Sequence, residues 1–88
     1  MANIASQIKR NRQNEKARLR NQGARSEMKT MARRTLELAE TGDAEAARRS
    51  LRDAQRTIDR AVSAGVLHKN TAARRKSRLT ARVESLLG

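Results

Sequence analysis

The sequence predicts an all-α fold, a three-helix bundle with a long first helix that overhangs at its N-terminus. Three observations predict it. The 88 residues contain no Pro and four Gly, so little interrupts a helix along the chain. Two of those glycines, Gly42 in Glu40-Thr41-Gly42-Asp43 and Gly65 in Ser63-Ala64-Gly65-Val66, stand where helix C-caps would stop the chain twice. Between and beside them, apolar residues recur at helical rather than strand period. A single domain over 1–88 follows, with helices over about 6–41, 44–64 and 71–87.

The second helix has the cleanest pattern. Ala44, Ala47, Leu51, Ala54, Ile58 and Ala61 step by three and four residues, the spacing of a bundle seam. Asp43 is its expected N-cap, and Asp43 and Glu45 suit the positive end of the helix dipole. In the third helix Asn70 is the expected N-cap, and Ala72, Leu79, Val83 and Leu86 form a weaker stripe that Lys76 interrupts. Val66, directly after Gly65, is placed for the apolar contact that closes such a cap.

The first helix changes character along its length. Ala24, Met28, Met31, Ala32, Thr35, Leu38 and Ala39 fall within a stripe about 120° wide. Followed backward, that stripe passes through Ala17 and then becomes Asn14, Gln13 and Arg10. It has stopped being a packing face. At about 1.5 Å per residue the first helix would be about 54 Å long and the second about 32 Å, leaving roughly fifteen residues of unpacked overhang. Ile4 and Ile8 fall off the stripe. Gly23, in mid-helix, costs about 1 kcal/mol against Ala; close approach of a phosphate backbone and simple tolerance both account for it.

Charge follows the same division. The net charge is +12, from 21 Lys and Arg against nine Asp and Glu. Residues 1–34 carry ten basic and two acidic side chains, 35–62 carry five and six, and 63–88 carry six and one. A near-neutral middle joins two basic ends. Such a charge calls for a partner that is densely negative over a wide area, nucleic acid or an anionic membrane. The overhang has no Leu, Phe or Trp face of the kind that lies in a membrane surface, and no apolar run reaches the ~18–20 residues of a span. Aromatic residues are absent, so bases cannot be held by stacking on rings. Phosphate and shape recognition of folded nucleic acid remains.

Other chemistries find little footing. Without Cys there is no disulfide or thiolate site, and one His cannot build a metal cage. No triad partners surround His68 and no Gly-rich phosphate loop is present. The chain is therefore expected to be neither an enzyme nor a cofactor or metal carrier. The Cys-free composition suits a reducing cytoplasm. The Arg-rich, acid-poor start resembles an organellar transit peptide, but it runs into the next helix without a small-residue cleavage site.

The candidate nucleic-acid contacts divide into two groups. On the first helix, Lys9, Arg12, Lys16 and Arg20 form one strip, and Arg18, Arg25, Lys29 and Arg33 form another on nearly the opposite side. Arg10 and Arg34 belong to the same set. Like charges at this spacing destabilise a helix by a few tenths of a kcal/mol per pair (about 0.2–0.5), and a merely soluble face would mix signs. Two opposed strips suit a helix inserted between nucleic acid segments. The second group lies in the run from Gly65 to Arg78. There His68, Lys69 and Asn70 open a helix whose free amides attract anions, and Arg74, Arg75, Lys76 and Arg78 extend the surface.

Those residues also carry a resemblance. The start Met1-Ala2-Asn3-Ile4, the block Glu15-Lys16-Ala17-Arg18 and the stretch Gly65-Val66-Leu67-His68-Lys69-Asn70 to Ala72-Ala73-Arg74-Arg75-Lys76-Ser77-Arg78-Leu79 resemble the bacterial-type twentieth ribosomal protein of the small subunit. The likeness spans essentially the whole chain, and its His-Lys-Asn stretch is the most specific part. Ala5 and Ala64 depart from it, standing where that family carries Lys. The resemblance implies a monomeric three-helix protein that binds small-subunit ribosomal RNA directly, beside other small-subunit proteins in the cytoplasmic ribosome, and acts early in assembly. From composition alone the rival is a nucleoid-type DNA-binding protein, which would need a dimer seam and a recognition helix.

Overall fold

The computed structural model describes residues 2–88, with side chains from Gln7 onward, so the expectations for Ile4 and Ala5 lie outside the described side chains. Three helices form: α1 Ala2–Glu40, α2 Ala44–Ser63 and α3 Lys69–Leu87. The molecule measures 65 × 21 × 13 Å. Its length is that of α1, whose 39 residues span about 58 Å.

Local chemistry sets both reversals. Gly42 adopts φ +82°, a left-handed conformation that costs a side chain-bearing residue energy, and donates to Ala39 O at 3.1 Å. Asp43 then caps α2, its carboxylate accepting from Ala46 N at 3.1 Å. At the other end of α2, Gly65 (φ +76°) donates to Val62 O and Val66 N to Ala61 O, the paired bonds of a Schellman turn. Val66 closes that turn by packing beside Ile58, Ala61 and Met28.

The third cap corrects the sequence expectation. α3 starts at Lys69, and its N-cap is His68, whose Nδ1 accepts from Asn70 N at 3.1 Å. Asn70 lies inside the first turn. The substitution of roles is chemically natural, because imidazole Nδ1 sits the same number of bonds from Cα as a carboxylate oxygen of Asp. α1 also begins earlier than expected, at residue 2 rather than about 6.

The core has two adjoining parts. Ala39 of α1, Ala47, Leu51 and Ala54 of α2, and Leu79 and Val83 of α3 form one. Met28, Ile58, Ala61 and Ala72 form the other. These pairings make α2 antiparallel to its neighbours and set α1 and α3 side by side in the same direction. The α2 seam appears as expected, with Ala44 half-buried and Thr57 added. On α1 the covered arc is wider than one stripe, since it faces two helices; Leu36 packs against the core as well. At the end of α3, Leu87 packs while Leu86 stays 43% exposed.

Polar bonds tie the helices together across these seams. Thr35, fully buried, donates to Met31 O at 2.8 Å or shares its hydroxyl with Ser50 Oγ at 2.7 Å. Gln55 of α2 donates to Thr80 of α3 at 3.1 Å. None of the buried side-chain polar atoms among the described residues lacks a partner. Among the described residues no helix is long and apolar enough to cross a membrane.

Candidate nucleic-acid interface

The overhang predicted for α1 is present. Between residues 7 and 23 every described side chain is exposed except Ala17 and Asn21, which are half-buried. Arg20 and Ala24 line a shallow depression with Ala61 of α2 and with Ala64 and Val66 of the turn that follows it. Lys9, Arg10, Arg12, Lys16 and Arg18 therefore stand on an arm with no tertiary neighbour on most of its circumference. A Cβ built on Gly23 meets nothing within 4 Å, so no protein neighbour requires a glycine there.

Past the arm, one strip of α1 runs into the bundle on the side of α3. Arg18, Arg25 and Lys29 line an open cleft of about 690 Å³ with Asn14, Asn21 and Gln22, and Arg75 of α3 closes its far wall. The cleft continues into a groove between α1 and α3. Met28, Ala32, Leu36 and Leu79 floor it, and Lys29, Arg75, Arg78 and Arg82 stand along it. No acidic side chain lines either depression. Arg82 was not among the expected contacts; its spacing of four from Arg78 and seven from Arg75, one helix face, was the available signal.

The remaining candidates are dispersed. Arg33 is exposed on the outer side of α1, and Arg34 lies in a shallow depression with Glu37, Leu38 and Thr41. Arg74 and Lys69 are exposed on α3. Lys76 turns the other way, toward α2, and donates to Asp59 Oδ1 at 2.8 Å. It stands as a half-buried cation within the α3 stripe, between Ala72 and Leu79 as expected, and does not share a face with Arg75. His68 is exposed, and since its Nδ1 accepts a backbone N–H, the neutral ring carries its proton on Nε2, a donor aimed away from the cap. Asn70, relieved of capping, keeps an exposed carboxamide beside it.

The electrostatics follow from how few cations are neutralised. Within 4 Å, acidic partners reach only Arg18 (Glu15, 2.7 Å), Arg49 (Glu45, 3.2 Å), Arg56 (Asp53, 4.0 Å) and Lys76 (Asp59, 2.8 Å) among the described residues. Two of these four pairs lie within α2. The cations of α1 and α3 are left almost wholly uncompensated, over a surface far longer than a ~8 Å screening distance.

Comparison with known proteins agrees with this geometry. A family model described as Ribosomal protein S20 matches residues 2–84. The chain is 56% identical over 86 residues to the small ribosomal subunit protein bS20 of Streptomyces griseus subsp. griseus, covering 98% of each chain. It is 59% identical over 85 residues to the bS20 protein of Salinispora tropica, covering 97% of each. Against the Thermobifida fusca protein of the same name the identity is 55% over 86 residues, 98% of this chain and 94% of that one. With a match over nearly its whole length, a three-helix fold and a long basic first helix, the chain belongs to the ribosomal protein S20 family, whose members are structural rather than enzymatic ribosomal proteins.

Proposed function

We propose that the chain is a component of the small ribosomal subunit that binds small-subunit ribosomal RNA directly, through phosphate and shape contacts, and supports assembly of that subunit. The observation that carries this reading is the alignment of Arg25, Lys29, Arg75, Arg78 and Arg82 along the α1/α3 side, continuous with a basic arm and free of acidic side chains. Phosphates crowd where RNA helices meet, and a bundle holding cations at fixed spacings lowers that repulsion while selecting for shape. The arm reaches beyond the bundle with cations on two opposed strips, which suits contact with more than one RNA segment. In this reading the protein works as a monomer, beside RNA and other subunit proteins in the cytoplasmic ribosome, with no membrane, metal or cofactor partner.

The DNA-binding rival draws no support from the apolar surface. Ile8 and Leu19, 49% and 56% exposed, are eleven residues apart on α1, about 16 Å, and Leu86 is on another helix. Competition between folded small-subunit ribosomal RNA and duplex DNA at matched salt tests the reading, with sucrose-gradient sedimentation of cell extract as its cellular counterpart. Preference for RNA and co-sedimentation with small subunits are expected. Equal binding to both nucleic acids, or absence from the subunit fraction, would refute it.

A further inference from the structure

The core-facing stripe of α1 does not end where the bundle ends. It runs Ala39, Thr35, Met28, Ala24 against α2 and α3, then continues at the same steps of three and four as Asn21, Ala17, Asn14, Arg10 and Gln7. Where partner helices stop, carboxamides replace apolar side chains. Helix stability does not explain the choice, because Asn is among the poorer formers in a helix interior. Asn14, Asn21 and Gln22 instead line the open cleft at the root of the arm, among Arg18, Arg25, Lys29 and Arg75, with no carboxylate on its walls.

This arrangement combines two kinds of recognition. Guanidinium and ammonium groups attract phosphates, which RNA and DNA share, so they cannot tell one from the other. A carboxamide offers both donor and acceptor. The group that matches it and that DNA lacks is the ribose 2′-hydroxyl, itself donor and acceptor and displayed in the wide, shallow minor groove of an A-form helix. The chain has no Phe, Tyr or Trp, so stacking of splayed bases on such rings does not make the distinction.

We infer that the cleft at the root of the arm is a ribose-reading site: Asn14 and Asn21 bond 2′-hydroxyls of an RNA minor groove while Arg25, Lys29 and Arg75 hold the flanking phosphates. Asn14 and Asn21 are seven residues apart, two turns or about 10.5 Å, and so present their amides along one line. Arg18 takes part less, being already paired with Glu15 at 2.7 Å. The inference rests on the RNA-binding reading above and names the element that gives it selectivity over DNA.

The experiment measures affinity of the full chain for an RNA duplex and for the DNA duplex of the same sequence across a salt series, with folded small-subunit ribosomal RNA as a third probe. The N14L/N21L double variant keeps the branched side-chain outline and removes both carboxamides, while raising helix propensity, so that a loss of affinity cannot come from a weakened helix; N14A/N21A serves if the leucines promote self-association. RNA affinity should fall roughly tenfold or more, as expected for lost hydrogen bonds, with DNA affinity and the salt slope unchanged. Removing cations, as in R25A/R75A, should weaken both nucleic acids together and lower the salt slope by about two. An unchanged RNA-to-DNA ratio in both amide variants, or a parallel loss on RNA and DNA, would overturn the ribose site and leave phosphate binding standing. Failure of the unaltered protein to bind folded ribosomal RNA would instead overturn the broader reading.

Discussion

Lys76 of α3 and Asp59 of α2 are joined at 2.8 Å, while Arg75, its immediate neighbour in sequence, faces α1 across the cleft. Two adjacent cations thus serve different purposes, one internal and one outward. Lys76→Ala should lower stability by about 0.5 kcal/mol, within the range of exposed pairs, given side chains 34% and 58% exposed. Arg75→Ala should leave stability unchanged and reduce RNA affinity more than Lys76→Ala does. Urea unfolding and RNA titration on the two variants check both halves; equal losses of affinity would show that Lys76 also serves the RNA.

Thr35 and Ser50 link α1 to α2 through hydroxyls 2.7 Å apart. Thr35→Val keeps the shape but leaves Ser50 half-buried without that partner, and should cost about 1–2 kcal/mol. Adding Ser50→Ala should recover part of the loss, because no unpaired hydroxyl then remains. A double-mutant cycle by thermal unfolding reads the coupling. Strict additivity would show that the hydroxyls do not depend on one another.

His68 rather than Asn70 caps α3. His68→Ala should destabilise the protein by about 0.5–2 kcal/mol, and His68→Asp should restore most of that. Asn70→Ala should be close to neutral in stability. If Asn70→Ala proves the more damaging in a calorimetric melt, the cap assignment is wrong.

The helix from Ala2 to Glu40 has two thermodynamic halves. From Ala24 onward it packs on α2 and α3, whereas residues 8–16 have no tertiary partner and carry Lys9, Arg10, Arg12 and Lys16, which repel one another. An isolated helix of that length is marginal in water. Amide hydrogen exchange at 8–16 should be fast in the free protein and slow when RNA neutralises the charges, while Leu51 and Ile58 stay protected in both states. Comparable protection at 8–16 and Leu51 without RNA would show the arm to be stable on its own.

Affinity for folded RNA should fall steeply with salt, by about 10³–10⁵ between 50 and 200 mM for ~6–10 phosphate contacts. Replacing Arg75, Arg78 and Arg82 together by Ala should flatten the slope by two to three units, about one per contact, and leave helicity intact, since all three are exposed. A shallow dependence in the unaltered protein would show that phosphate contact is not the main source of affinity.

The fold was largely legible because its signals are local. The α2 seam follows from period alone, and Gly42 and Gly65 mark both reversals through a conformation few other residues adopt. What escaped depended on tertiary placement. Leu36 packs because α1 touches two helices at once, which a single-stripe count cannot register. Thr57 is buried although Thr carries no apolar signature, its hydroxyl satisfied by Asp53 O at 3.0 Å. The basic residues of the candidate interface were named from charge, but their sorting was not: Arg75 and Lys76 differ only in which neighbouring helix their position on α3 happens to face. Arg82 lies at helical spacing from Arg75 and Arg78 and shares their groove, a placement that spacing alone carries.

The arm also sets an order of events. Its tip stands tens of ångströms from the bundle on a molecule 65 Å long and 21 Å across. At physiological salt a charge is felt over only about 8 Å. In the proposed RNA-binding reading, a polyanion that approaches along the long axis meets the tip while the bundle is still electrically invisible to it. Capture comes first and registration second. The first encounter tolerates many approach angles, and the slower docking of α3, with its spaced arginines, is where a wrong RNA would be released.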